Sequence, residues 1–154
     1  MELPTLNLPP ISPRFRRGAD GRTAIFDILR RRYVALTPEE WVRQHFVHFL
    51  ITQKGYPMGL LANEISLMLN GVRRRCDTVL YQAEGLRPRM IVEYKAPDIP
   101  ITQAVFTQIA AYNSQLRADY LVVSNGRAHY CLALSYSKQT SRFLPDIPAY
   151  HELQ

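Results

Sequence analysis

The sequence predicts an α/β fold, with helices on the faces of a central mixed sheet. Three observations carry that expectation. Helix-like and β-rich stretches follow one another in the order helix, three strands, helix, two strands. Two Asn-Gly pairs, Asn70-Gly71 and Asn125-Gly126, stand between β-rich runs and mark hairpins. The chain has 154 residues, 47% hydrophobic and 21% charged, which suits one domain with a real core.

Taken in order, Pro4, Pro9, Pro10 and Pro13 make the first 13 residues an extended arm. Residues 1–24 are read as a basic, proline-rich N-terminal arm, and 25–154 as a single domain. "TPEEWVRQHFVHFLITQKG" is the clearest helix. Thr37 caps it, Pro38 fits the first helical position, and Glu40 completes a T-x-x-E capping box. Val42, Phe46, Phe49 and Leu50 recur at helical spacing, and Gly55 supplies the stop. "EISLMLNGVRRRCDTVLY" is then a hairpin. A two-residue turn at Asn70-Gly71 pairs Leu69 with Val72, Ser66 with Arg75 and Glu64 with Asp77. "PRMIVEYKA" is a third strand, reached through a turn at 83–88. "TQAVFTQIAAYNSQLR" is a helix with Val105, Ile109, Tyr112 and Leu116 on one face. "DYLVVS" and "AHYCLAL" form the second hairpin, and the tail from Ser135 to Gln154 is expected to pack on the surface.

Composition narrows the function classes. No apolar run approaches the roughly 20 residues of a membrane helix, and the N-terminus lacks the order of a secretory signal. Cys76 and Cys131 are too few for a disulfide framework, so a cytoplasmic protein with reduced thiols is expected. The net charge is +6, and residues 1–33 hold seven arginines against three acids. Such a segment favours polyanions, although a solvated basic surface would look the same. His45 and His48 have no third ligand near them in sequence, and no P-loop, G-x-S-x-G or G-x-G-x-x-G motif occurs.

The chemistry lies in "MIVEYKAPDIP". Glu93 and Lys95 interrupt the most hydrophobic strand, and their i, i+2 spacing puts both on the face of Ile91. Alone, the pair is an ordinary exposed ion pair on a strand. Asp77 lies 16 residues upstream in a strand that can neighbour this one. Together Asp77 and Glu93 could hold one hard cation, since magnesium takes oxygen ligands and usually one or two protein carboxylates. A lysine beside them could hold or deprotonate an attacking water, or stabilise charge on a phosphate. The set suits phosphodiester hydrolysis.

Asp77 followed by Glu93-Tyr94-Lys95 resembles the D…(D/E)-x-K signature of the PD-(D/E)XK nuclease superfamily, with Cys76 where that signature has proline. The wider pattern of TPEEWVRQ, GYP, RRRCD, VEYKAP and SNG looks like the N-terminal nuclease domain of type I restriction enzyme R (HsdR) subunits, over about residues 25–130. The resemblance implies a restriction-endonuclease-like α/β/α sandwich and a DNA-cleaving activity with Mg2+ or Mn2+. It implies Asp77 and Glu93 as metal ligands, the Tyr94 carbonyl as a further one, and Lys95 as the catalytic lysine. Gln108 and Tyr112 match a Q-x-x-x-Y element that orients a phosphate or the metal's water; a core aromatic is the other reading of Tyr112. The superfamily often adds an acid, for which Glu40 and Glu64 compete, and the hairpin register favours Glu64. Arg75, with Arg73 and Arg74 beside it, could neutralise the acids or contact DNA. The motor that follows this domain in restriction subunits is not in the sequence, so no translocation is expected. A homodimer is expected by analogy. A DNA-binding or assembly module without turnover, and a structural ion network of the acids with Lys95 and Arg75, are the alternatives.

Overall fold

The computed structural model describes residues 3–154, apart from the side chains of Leu69 and Tyr112. Residues 3–14 run without regular structure but lie against the body. Leu6 is buried in the core, the Asn7 N–H donates to the Gly126 carbonyl at 2.8 Å, and Trp41 Nε1 donates to the Pro4 carbonyl at 2.9 Å. Next come three short antiparallel strands, β1 (Phe15–Arg17), β2 (Thr23–Asp27) and β3 (Arg32–Ala35), which make a sheet of their own. The sequence showed only basic residues here. Strands of three to five residues carry too little alternation to be read, and their arginines are used locally. Arg14 lies 4.1 Å over the Phe26 ring and Arg16 lies 4.2 Å over Tyr33.

Helix α1 (Pro38–Thr52) starts as expected, with the Thr37 side chain accepting the Glu40 N–H at 3.0 Å. The other half of the capping box is not made. Glu40 turns its carboxylate to Arg30 and Gln44 instead. Strands β4 (Leu61–Leu69) and β5 (Val72–Tyr81) form the first hairpin. Asn70 and Gly71 both have positive φ, 51° and 75°, as a tight two-residue turn with the right twist requires. Leu69 faces Val72 and Ser66 faces Arg75, in the register read from the turn. Strand β6 (Pro88–Tyr94) pairs antiparallel with β5 and ends one residue before Lys95. Helix α2 (Gln103–Leu116) then crosses over to β7 (Tyr120–Ser124), which runs parallel to β6.

Strand β8 (His129–Ser135) closes the second hairpin through four residues, with Asn125 Oδ1 accepting the N–H groups of Arg127 and Ala128. The tail departs from expectation. It adds a sixth strand, β9 (Thr140–Leu144), and sends Ile147 and Leu153 into the core. Its two buried apolar residues are too widely spaced to give a periodic signal.

The main sheet thus has the order β4-β5-β6-β7-β8-β9, mixed in direction, with a helix on each face. Val42, Phe46 and Leu50 of α1 pack on Leu80, Met90, Val92 and Val122. Phe106 and Ile109 of α2 pack on Val79, Ile91, Leu121 and Val123. Strands β6 and β7 are covered on both sides, which is why they read as continuous apolar runs. Each fully buried side chain of this kind contributes about 1.5–3 kcal/mol.

Candidate active site

Both strands of the first hairpin turn over at one point. Leu61 packs on the α1 side and Asn63 bonds to Asp27 and Thr78 there, whereas Ile65 and Leu67 pack on the α2 side. On β5, Val79 and Cys76 both belong to the α2-side cluster although they are three residues apart. Strict alternation would keep residues 61, 63, 65 and 67 on one face. The turnover is at Glu64, whose φ is 58°. The register is unchanged on either side, with Asn63 facing Thr78 and Ile65 facing Cys76. Glu64 and Asp77, expected as a directly opposed pair, mark the break in the ladder between them.

The result is a cavity of about 440 Å³ whose walls include Arg30, Glu40, Arg43, Glu64, Asp77 and Glu93. Both candidates for the extra acid, Glu40 and Glu64, therefore border it. Asp77 Oδ2 accepts the Tyr94 N–H at 2.9 Å, which ties it to the strand that carries Glu93. Burial pushes the Asp77 carboxyl above its usual range, and the Glu64 charge adds to the rise. The Tyr94 N–H and the charges of Arg43 and Lys95 only partly offset this. Lys95 lies just beyond β6, and its N–H donates to the Ser124 carbonyl at 2.9 Å, continuing the ladder to β7.

Five polar residues that the sequence did not single out, Arg43, Arg30, Asp27, Asn63 and Thr78, hold this arrangement. Arg43 is about 5% exposed and sits among the acids. Its Nη2 donates to Glu64 Oε1 at 2.7 Å, its Nη1 donates to the Asp77 carbonyl at 3.2 Å, and its Nε lies 3.5 Å from Glu40 Oε2. Burial alone would lower the pKa of this guanidinium, but Glu40 and Glu64 hold it above its ordinary value. Arg30 joins Asp27 to Glu40. Asp27 is fully buried and also accepts from Asn63, whose Oδ1 takes the Thr78 hydroxyl. Thr78 in turn accepts the Tyr94 hydroxyl at 2.9 Å. Burial raises the Asp27 pKa, yet the bonds from Arg30, Asn63 and Leu29 bring it below the usual carboxylate range. One signal for Arg43 was present: Glu40, Arg43 and Gln44 repeat at helical spacing, a polar stripe that is buried.

A second cavity, of about 510 Å³, lies between the hairpin and α2. Glu93 borders this one too, together with Gln108, Arg73, Arg74 and Arg75. Arg75 is 65% exposed, and its Nε lies 3.3 Å from Glu64 Oε2. Tyr112 is on α2, one turn after Gln108, and its side chain lies outside the described residues. A larger cavity of about 730 Å³, beside β8, β9 and the tail, touches none of the expected site residues.

Among the described residues, no three acidic, histidine or cysteine side chains stand close enough to hold a metal ion by themselves. The donor set nevertheless fits magnesium or manganese in kind. It offers carboxylate oxygens, and Glu64 Oε2 is buried and accepts no hydrogen bond, with the exposed Arg75 3.3 Å away as its ion-pair partner. Magnesium commonly takes only one or two protein carboxylates and fills its shell with water.

The fold is similar to that of a fragment of a putative HsdR subunit of a type I restriction enzyme from Vibrio vulnificus YJ016, with 20% identity and a TM-score of 0.56. The match covers 77% of this chain and 24% of the fragment, so the chain spans about a quarter of that structure. No curated protein matches the chain. The family described as the type I restriction enzyme R protein N terminus (HSDR_N) matches residues 38–148, which hold α1, α2 and all six strands of the main sheet, and this chain belongs to that family.

Proposed function

We propose that the chain is a metal-dependent nuclease domain of the PD-(D/E)XK kind that hydrolyses phosphodiester bonds in DNA. One observation carries this: Asp77, Glu93 and Glu64 border one cavity, with Lys95 two residues beyond Glu93, just past the end of the same strand. Asp77 and Glu93, with the Tyr94 carbonyl, would hold Mg2+ or Mn2+, and Glu64 would act on the ion's water shell; the ion would supply Lewis acidity and lower the pKa of a bound water. Lys95 positions the attacking water and balances charge that develops on the phosphate oxygens. The water oxygen bonds to phosphorus, one bridging P–O bond breaks, and the departing oxygen takes a proton. Gln108 and Tyr112 orient the phosphate, and Arg73, Arg74 and Arg75 meet the DNA backbone. The reading puts the protein in the cytoplasm, acting as a homodimer when both strands are cut.

The test is cleavage of plasmid and short duplexes in Mg2+ or Mn2+, beside Lys95→Ala. Wild type should cut and the variant should lose most of that activity. Equal cleavage by both, or none by wild type on any substrate, refutes the proposal.

Arg43 supports a second reading, a DNA-binding or assembly module without turnover, because it already neutralises Glu64 and Glu40 from inside the cavity. Calorimetry separates the two. Salt-dependent DNA binding with no uptake of Mg2+ or Mn2+ favours the module.

A further inference from the structure

We propose that the distal half of the β4–β5 hairpin is a recognition ribbon that enters the major groove of duplex DNA, an inference that rests on the nuclease reading for the choice of DNA as partner. Strand β5 pairs with β6 only from Thr78 onward, and β4 is the edge of the sheet. From Ser66 to Arg75 the hairpin is therefore a two-stranded ribbon. Leu67 packs toward α2, but Ser66, Met68, Asn70 and the run Gly71–Arg75 are exposed. A free ribbon of this length adds little stability by itself.

Its composition points to a polyanion. Arg73, Arg74 and Arg75 are consecutive, so alternation puts cations on both faces, and residues 66–75 contain no acid. The ribbon is not a purely solvated charge surface. Met68 is 63% exposed and Val72 is 50% exposed, both beside the tip, with Met68 directly opposite Arg73. Apolar side chains there suit base edges, where the thymine methyl is the apolar target, while arginines suit phosphates and guanine.

The dimensions agree. Two strands about 4.8 Å apart, with their side chains, fill a major groove about 12 Å wide. Six residues separate Gly71 from Asp77, which at about 3.3 Å each is roughly 20 Å. At about 3.4 Å per base pair, a phosphate at the acid cavity lies some six base pairs from the tip. The cavity bordered by Arg73, Arg74, Arg75 and Gln108 reaches from the ribbon to Glu93, which also borders the acid cavity.

The experiment is anisotropy binding of the full chain in EDTA, so that no cleavage intervenes. The probes are a short duplex, the same duplex with deoxyuridine for thymidine, and one single strand. Met68→Ser/Val72→Ser should weaken duplex binding about five- to tenfold without changing the salt slope or single-strand binding. It should also erase the preference for thymidine over deoxyuridine. Arg73→Ala/Arg74→Ala should lower the salt slope by about 2 and weaken both duplexes alike. Because these side chains are exposed, both variants should melt like wild type, which circular dichroism checks. Wild-type duplex affinity in Met68→Ser/Val72→Ser, equal binding of the two duplexes by wild type, or an effect confined to self-association in sedimentation would overturn the proposal. So would an absence of DNA binding by the wild-type chain. A wild type that binds through the ribbon but never cuts sinks only the nuclease reading. One that cuts while the ribbon variants bind normally sinks only the ribbon.

Discussion

Replacing Arg43 by methionine tests the charge balance of the acid cavity, because methionine keeps the aliphatic stem and removes the guanidinium. Arg43 is the buried cation of the group. Without it, Glu40 retains Arg30 at 2.9 Å, but Glu64 retains only Arg75, which is largely in solvent. Breaking a buried ion pair costs about 3–5 kcal/mol. The low end applies here, since Arg30 still neutralises Glu40 and Glu64 is 24% exposed. Losing the hydrogen bond to the Asp77 carbonyl is part of the same change, so about 3 kcal/mol in all is expected. For a chain of this size that is a fall of roughly 6–12 °C in melting temperature.

The same variant reports on the metal. A cation that binds between the acids takes over the charge Arg43 supplied, and at 100 times its Kd it returns about 2.7 kcal/mol. Thermal melts of wild type and Arg43→Met, with and without Mn2+, are the assay. The variant should melt lower in EDTA and gain more from Mn2+ than wild type does. A variant that melts within a degree or two of wild type, with no response to Mn2+, refutes the reasoning.

Two further outcomes are expected. Asp77→Asn removes a carboxyl whose pKa burial has raised, so the native state holds that proton more tightly than the unfolded chain. Wild-type stability at this site is then full below the unfolded value near 4 and falls as pH rises through the native value. The variant should match wild type in acid and equal or exceed it at neutral pH by denaturant melts; a marked loss at pH 7 would instead mean that the acids form a structural ion network. Leu6→Ala should destabilise by about 2–3 kcal/mol, because Leu6 fills the space over Gly126 and Val42. Limited proteolysis ahead of residue 14 should quicken with it, and an unchanged digest would show that the N-terminal segment is not held by this contact.

What could be read from the sequence was whatever local chemistry determines. Asn70-Gly71 set the hairpin register because few residues tolerate two consecutive positive φ angles, and Thr37-Pro38 set the helix start. Doubly covered strands such as "MIVEY" announce themselves by unbroken hydrophobicity. The polar network could not be read in this way. Asp27 with Arg30, Asn63 and Thr78 come from three places in the chain, and each alone looks like an ordinary surface residue. Only the packing of β2 and α1 against the hairpin brings them together. Glu40 shows the same limit, since its capping-box spacing is satisfied on the backbone side while its carboxylate goes elsewhere.

The turnover at Glu64 explains why the acids meet at all. In a regular hairpin, residues that face each other share a face, and each strand keeps one parity toward each helix. Asp77 would then share the α2 side with Val79, away from Arg43 and Glu40 on α1. The inversion lets Asn63 and Thr78 bond on the α1 side while Ile65 and Cys76 pack on the α2 side, and it leaves Glu64 and Asp77 between the two regimes, at the cavity wall. A left-handed conformation at a residue with a side chain costs about 1–2 kcal/mol, which glycine would avoid. Glycine would also remove the carboxylate that Arg43 and Arg75 both engage. Backbone strain and site charge thus fall on one residue, and the same kink that exposes the acids to the cavity also sends the arginine ribbon out beyond β6.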